Sequence, residues 1–500
     1  MPIWSPRHSD SFRTANETTD MAMSMESGTA TATSPTTVND AEALLLTDTH
    51  TRVRRTDLER RIIRRVDWRV LPILGTLYAL ALIDRTNISI ARIVGLDEDL
   101  GLSIGNRFSI VTGIYFIPYT LLQLPSNLLL RKVGPRKLLS FCVIAWGTTQ
   151  LSMGFVSNWW LLGFLRTLLG ALEAGFFPSM VYLISTWYTR HEVQTRLAIF
   201  YVVAIILDGF SAFFAYILSL LSGKLGIAGW AWIFIIEGAM TLAFGILGWF
   251  FLPGFPDCNN FLSPEETAVV LNRVQSDRGD SLPDILTWKK FVDAFDWRVW
   301  AYSLMFLCAT TSTYGVGFFV TLILRGLGWS VSASLLLSAP PFVFAGMSTI
   351  IFSRLSDYYR QRALFIAIQC GITIVGWCLT GFAPAGGWRY GGLFLSNAGS
   401  SGTVIGILAY SSNNIVSHSK RAIVSGVIIS AGGVGGLLAS NVFTETSAPR
   451  YLPGIVVTII FQVLLLVVLC ATTVYFHRQN AGAIRESAQL EGHPGFLYTL

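Results

Sequence analysis

Apolar residues in this chain come in long, nearly uninterrupted runs, not in the mixed apolar and polar rhythm of a water-soluble fold. The runs fall at about 70–91, 108–130, 138–156, 159–184, 196–222 and 230–252, then at about 299–324, 331–353, 363–383, 390–412, 421–444 and 454–476. Each is close to or beyond the roughly 20 residues that take a helix across a bilayer at about 1.5 Å of rise per residue. The pattern predicts an all-α polytopic membrane protein with 12 transmembrane helices in a 6+6 arrangement. Residues 1–65 read as a disordered cytoplasmic tail that ends in a basic interfacial segment carrying Leu58, Ile62, Ile63 and Val66. Residues 66–252 form an N-terminal six-helix bundle, 253–297 a cytoplasmic linker, 298–476 a C-terminal six-helix bundle, and 477–500 a cytoplasmic tail. Within the linker, Ser263 followed by Pro264, Glu265 and Glu266 predicts a capped helix start.

Composition narrows the class. By length alone, 500 residues would suggest about three soluble domains. Instead 52% of the chain is hydrophobic, 13% is charged, and the mean hydropathy is +0.54. The net charge of +6 does not point to nucleic acid, because Lys and Arg gather in short loops between apolar runs. Arg131, Lys132, Arg136, Lys137, Arg190, Arg196, Arg354, Arg360, Arg362, Lys420 and Arg421 lie in alternate loops, which places both termini in the cytoplasm. Five of the six cysteines lie inside apolar runs, Cys258 being the exception, and none has metal-ligand spacing. No metal or cofactor is expected. The six histidines fall in tails or loops, and no phosphate-binding glycine loop is present, which argues against a membrane enzyme or an ATP-driven pump. Trp159, Trp160, Trp187, Trp230 and Trp232 sit at run ends as expected interfacial anchors, and Gly432 to Gly436 are expected to allow close helix packing. The expected surroundings are a lipid bilayer and a monomeric chain.

Charges inside the runs carry the functional signal. A charge in a membrane span costs on the order of 2.5–3.5 kcal/mol on insertion scales, so one that stays has a use. The run at 158–184 keeps Arg166 and Glu173, seven residues apart and therefore on one helix face. The first run keeps Asp84 and Arg85, with Thr86 and Asn87 beside them. Counting rise along each run puts Asp84, Arg85 and Arg166 at one level, with Glu173 about 10 Å deeper. An arginine fork suits a carboxylate, and an acid in a low-dielectric cavity can carry a proton. Arg166 or Arg85 is thus a candidate anion clamp, and Asp84 or Glu173 a candidate proton carrier. A structural ion pair that fixes helix packing is the alternative.

Twelve spans around a polar linker are the layout of a major facilitator transporter, whose binding site lies between the two halves near the midplane. The loop with Arg131, Gly134 and Arg136 and the loop with Asp357 and Arg362 both resemble that superfamily's basic cytoplasmic loop, each imperfectly. The resemblance implies that these four charged residues latch the cytoplasmic helix ends and serve gating. A closer resemblance rests on Asp84, Arg85 and Asn87, on Phe164 and Arg166, on the stretch from Glu173 to Pro178, on Trp187 and Tyr188, on Trp232 and Glu237, and on Pro449 to Gly454. Over residues 57–480 the chain resembles the anion:cation symporter family, most of all its fungal allantoate-permease branch. That implies secondary active, proton-coupled symport of a small organic anion, with Asp84 and Glu173 as proton-coupling acids. It implies that Arg85, Asn87, Tyr115 and Arg166 line the substrate, and that the plasma membrane is the setting. The runs around Tyr314 and Tyr410 lack a proline and a tryptophan usual in the branch, and Asp208 is an acid unusual for it. An exporter or precursor importer for a fungal secondary-metabolite pathway is the alternative, with a non-transporting nutrient sensor behind it.

Overall fold

The computed structural model of the chain describes residues 38–278, 295–415, 418–443, 447–448, 450–486 and 497–500. By contacts the chain divides into residues 1–61 and 62–500, and the architecture below is that of the second unit. Every regular element among the described residues is helical. Those of six residues or more are, in chain order, α1 (Val38–Ala91), α2 (Arg107–Gly113), α3 (Phe116–Val133), α4 (Pro135–Met153), α5 (Trp159–Glu173), α6 (Phe176–Trp187), α7 (Arg190–Ser219) and α8 (Gly229–Phe251), followed by the linker helix α9 (Pro264–Arg278). The second set comprises α10 (Trp297–Gly326), α11 (Val331–Leu336), α12 (Ala339–Tyr359), α13 (Arg362–Phe382), α14 (Gly386–Asn413), α15 (His418–Val442) and α16 (Leu452–Glu486).

Eleven stretches among the described residues are long and apolar enough to cross a membrane. The expected span that falls short is α4, which is present as a helix of 19 residues but carries Arg136, Lys137, Thr148, Thr149 and Gln150. Packing explains how α4 keeps its polar residues: Thr149 and Gln150 are buried against protein. The helix lies along α8, and the contact is close because glycines face it. A Cβ at Gly238 would stand 2.3 Å from the Leu151 amide nitrogen, and one at Gly147 would stand 2.6 Å from that of Leu242. Outward faces carry large exposed apolar side chains such as Leu121, Phe164, Phe250 and Val467, which is stable only against lipid tails.

Two seams join the first set of helices to the second. Helix α3 lies on α15, where Gly433 meets Thr120 and Gly436 meets the Phe116 ring, and Ser430 donates to Gln123 Oε1 at 3.0 Å. Helix α7 lies on α12, where Gly209 meets Phe342 and Gly346 meets Ile206. The glycines of residues 432–436 therefore serve close packing, as their sequence suggests.

Other expectations are revised. The basic segment near residue 65 belongs to α1, and Ile62, Ile63, Val66 and Val70 pack in the core. Trp187 and Trp230 are not interfacial anchors; both are buried, with indole N–H groups donating to the Gly254 carbonyl at 3.1 Å and to Asp99 Oδ2 at 2.6 Å. The linker helix starts as read, with Glu266 N donating to Ser263 Oγ at 3.2 Å and Ser263 N donating to Glu266 Oε2 at 3.0 Å. Arg65 on α1 and Glu192 on α7 hold α9 through Glu266 and Arg273, at 2.9 and 2.7 Å. Residues 279–294 of the expected linker lie outside the described residues. At the other end, α16 continues to Glu486, and residues 497–500 return to the second set of helices. There Thr499 N donates to Asn414 Oδ1 at 2.7 Å, and the Tyr498 ring stacks on Phe476 at 4.5 Å.

Candidate functional site

Two of the spans have a mid-length break in regular helical hydrogen bonding while the backbone stays right-handed, and these breaks lie at the site. Between α2 and α3 the helix is interrupted at Ile114 and Tyr115, and between α5 and α6 at Ala174 and Gly175, one residue after Glu173. Helix α5 begins at Asn158, whose side chain accepts from Leu161 N at 2.8 Å. Two turns on come Arg166 and then Glu173, both on its buried face. Between them, Gly170 lets α5 abut the first break: a Cβ there would stand 2.1 Å from the Tyr115 carbonyl oxygen. That approach brings the Tyr115 hydroxyl to donate to Glu173 Oε2 at 2.6 Å.

Helix α1 supplies the opposing charges. Arg85 donates through Nη2 to Glu173 Oε1 and through Nη1 to the Tyr314 hydroxyl at 2.7 Å. Its guanidinium carbon lies 4.8 Å from the Tyr119 ring centroid, 5.3 Å from that of Tyr115 and 5.7 Å from that of Tyr314, an aromatic cage around one cation. Arg166 is bound differently. Its two terminal nitrogens donate to the backbone carbonyls of Asp84, at 3.4 Å, and Arg85, at 3.1 Å, and its guanidinium carbon lies 5.5 Å from the Tyr115 ring. The two arginines thus share one tyrosine face. Asp84 accepts from Thr241 on α8 at 2.9 Å and lies beside the Trp146 indole. Asp84, Arg85, Arg166 and Glu173 are at most 3% exposed.

The structure therefore brings together Asp84, Arg85, Tyr115, Arg166 and Glu173. Rise counting put Glu173 a level below Arg85, and the length of the arginine side chain closes that separation. Asn87, expected at the substrate, is fully buried, and its amide donates to Glu237 Oε2 on α8. The reason is its position one turn after Asp84, on the α1 face that meets α8. Asp208, left open in the sequence, accepts from Thr86 at 3.0 Å and lines a shallow cleft between the two sets, with Ser211, Thr321, Ser338 and Phe342.

Arg136, Asp357 and Arg362 make contacts within their own halves. Arg136 donates to the carbonyls of Trp249 and Phe250, at 2.6 and 3.5 Å, and so neutralises the C-terminal end of α8. Arg362 pairs with Asp357 and also donates to Ser356 at 3.2 Å. Arg131 lies in α3, and its side chain is outside the described residues.

Sequence reasoning missed Tyr314, Tyr119, Trp146, Thr241 and Glu237 as members of the site's surroundings. Glu237 was within reach of the argument that found Arg166, since it is an acid inside an apolar run. The four neutral residues raise no such flag.

The sequence matches the Major Facilitator Superfamily over residues 74–440. It is 30% identical over 413 residues to the major facilitator-type transporter hxnP of Emericella nidulans, covering 81% of this chain and 83% of that one. It is 28% identical over 441 residues to an uncharacterized transporter of Schizosaccharomyces pombe, covering 86% of each. Among solved structures, a bacterial homologue of the human lysosomal transporter Spinster, inward-facing and occupied, superposes with a TM-score of 0.60 at 18% identity, covering 82% of this chain and 97% of that one. That likeness concerns the fold.

Proposed function

The chain belongs to the Major Facilitator Superfamily and is a multi-pass membrane transporter, and from that premise we propose that it couples inward movement of a small organic anion to a proton. The observation that carries this reading is the buried Arg85–Glu173 pair with the Tyr115 hydroxyl on the second carboxylate oxygen. A buried cation left without its partner is costly, on the order of 3–5 kcal/mol. Arg85 therefore keeps one anionic partner at all times. When Glu173 takes a proton its hold on Arg85 weakens, and a substrate carboxylate can occupy the vacated side of the guanidinium fork. When the substrate leaves, Glu173 gives up the proton and pairs again. One anion and one proton then travel together, because either exchange alone would leave the site with an unbalanced buried charge. By linkage, the proton tightens anion binding as much as the anion tightens proton binding.

Arg166 and Asp84 complete this scheme. Arg166 pins the backbone of α1 beside the site, and its guanidinium shares the Tyr115 face with Arg85, so it is the second cation available to a carboxylate. Asp84, held by a neutral hydroxyl donor, is the second acid able to take a proton. The basic loops support cytoplasmic termini; the plasma membrane is the expected setting.

The test is uptake of a panel of labelled carboxylates into proteoliposomes, with and without an inward proton gradient, for wild type and Glu173→Gln. The expected result is gradient-driven accumulation by wild type only, with substrate exchange surviving in the variant. If no carboxylate moves, or the variant accumulates as well as wild type, anion symport is wrong and export of another substrate class becomes the better reading.

A further inference from the structure

The charged groups of the core do not balance. Asp84, Glu173, Glu237 and Asp208 face two arginines, Arg85 and Arg166. Arg85 is matched by Glu173. Arg166 bridges the carbonyls beside Asp84 and acts on that carboxylate. Asp208 borders the cleft between the two sets of helices. Among the described residues Glu237 has neither a base nor a cleft: it is 2% exposed, and the charged groups that act on it are two other acids, Asp84 from α1 and Asp208 from α7.

Its hydrogen bonding shows how such an acid is accommodated. Glu173 receives donors on both oxygens, as an ionised carboxylate requires. Glu237 receives one, from Asn87 Nδ2 to Oε2, while Glu237 Oε1 and Asn87 Oδ1 are both buried without a partner among the described residues. Two acceptors left over on two bonded side chains lack one thing, a proton. In a planar pair of a carboxylic acid and a primary amide, the acid O–H bonds to the amide oxygen while the amide N–H bonds to the acid oxygen. A single proton on Oε1 satisfies both atoms and removes the unbalanced charge.

We propose that Glu237 is a proton-binding site, distinct from the Arg85–Glu173 site, that stays protonated through the transport cycle and forms a cyclic acid–amide pair with Asn87. The pair is one rung of a two-rung ladder between α1 and α8, the other being Asp84 with Thr241. Asn87 follows Asp84 by three residues and Thr241 follows Glu237 by four, so each helix places its two groups about one turn apart. Glu237 is therefore a positioning residue: acting through Asn87, it fixes the rotation of the α1 turn that presents Asp84 and Arg85.

Infrared spectroscopy of the protein in lipid, with and without carbon-13-labelled glutamate, tests the proposal. A carbonyl band of a protonated carboxyl group that shifts with the label, persists from mildly acid to mildly alkaline pH and survives Glu173→Gln is expected. Glu237→Gln should abolish that band yet keep uptake within about twofold of wild type with an unchanged pH profile, because an amide–amide pair reproduces both hydrogen bonds. Glu237→Ala should lower uptake about tenfold or more, because it strands Asn87 and opens a cavity. Absence of a label-sensitive protonated band in the unaltered protein overturns the proposal, as does a changed pH profile in Glu237→Gln. The infrared result does not depend on whether a carboxylate is transported, so it can fail or succeed apart from the symport reading.

Discussion

At the scale of single residues, the centre of this transporter is one guanidinium held from both halves. Arg85 sits on α1, takes Glu173 from α5, and donates to Tyr314 on α10 of the second set. The last contact links the charge site to the seam between halves. Replacing Tyr314 with Phe keeps the ring beside the cation and removes the hydroxyl. A hydrogen bond to a charged group contributes about 1.5–3 kcal/mol, which is roughly 10- to 100-fold in an equilibrium. Tyr314→Phe is therefore expected to lower transport by at least about tenfold at unchanged protein level, with Arg85→Ala plus Tyr314→Phe no worse than Arg85→Ala alone. Uptake by the single and double variants checks it; additive losses would show that Tyr314 acts elsewhere. The charges of the site were legible because an ionised group in an apolar run stands out by its insertion cost. Tyr314 was not, since a tyrosine is tolerated in a span for its ring and its hydroxyl gives no sign of a partner 229 positions away.

Elements were read well where a long apolar run met a clear end, and less well where tertiary packing decides. The breaks at Tyr115 and after Glu173 lie inside continuous apolar runs, so hydropathy passes over them. They are set instead by close approaches, Gly170 to Tyr115 and Gly175 to Ser126. The return of residues 497–500 likewise depends on Asn414 and Phe476, far away in sequence. Helix α4 makes the same case for stability. Polar for a span, it is held by its fit to α8, and Gly238 is where the two backbones come closest. Gly238→Ala forces a methyl against the Leu151 backbone and is expected to cost about 1–3 kcal/mol. Gly371→Ala, in α13 with open space around the added methyl, is expected instead to gain about 0.5–1 kcal/mol from helix propensity. Thermal unfolding of the two variants in the same detergent should move in opposite directions; equal losses would mean that helix contact is not what holds α4.

For the whole molecule, the two seams constrain how the halves can move. Alternating access requires that α3 and α15, or α7 and α12, change their contact as the site turns from one side of the membrane to the other. Along the first seam the helices meet at Thr120 and Gly433, where a Cβ on Gly433 would stand 3.5 Å from the Thr120 Cβ. Disulfides form at Cβ separations of roughly 3.5–4.5 Å, so cysteines at these two positions have the separation a cross-link needs in this conformation. The chain's own six cysteines are free, and Cys258 and Cys470 are exposed, so the pair is introduced into a protein in which these two are replaced by serine. Oxidising Thr120→Cys/Gly433→Cys should therefore cross-link the halves and bring uptake close to the level of empty liposomes. Reduction should restore it to the level of the unoxidised double variant, and each single variant should be insensitive to oxidant. The cross-link itself is read independently, by cleavage at a protease site inserted between the two sets of helices followed by electrophoresis without reductant, where the halves stay together only if joined. A cross-linked protein that transports at the reduced rate would mean that α3 and α15 move as one body, and would transfer the required motion to the α7–α12 seam beside Asp208. In that case the close approach of Gly209 to Phe342 across that seam becomes the contact to test.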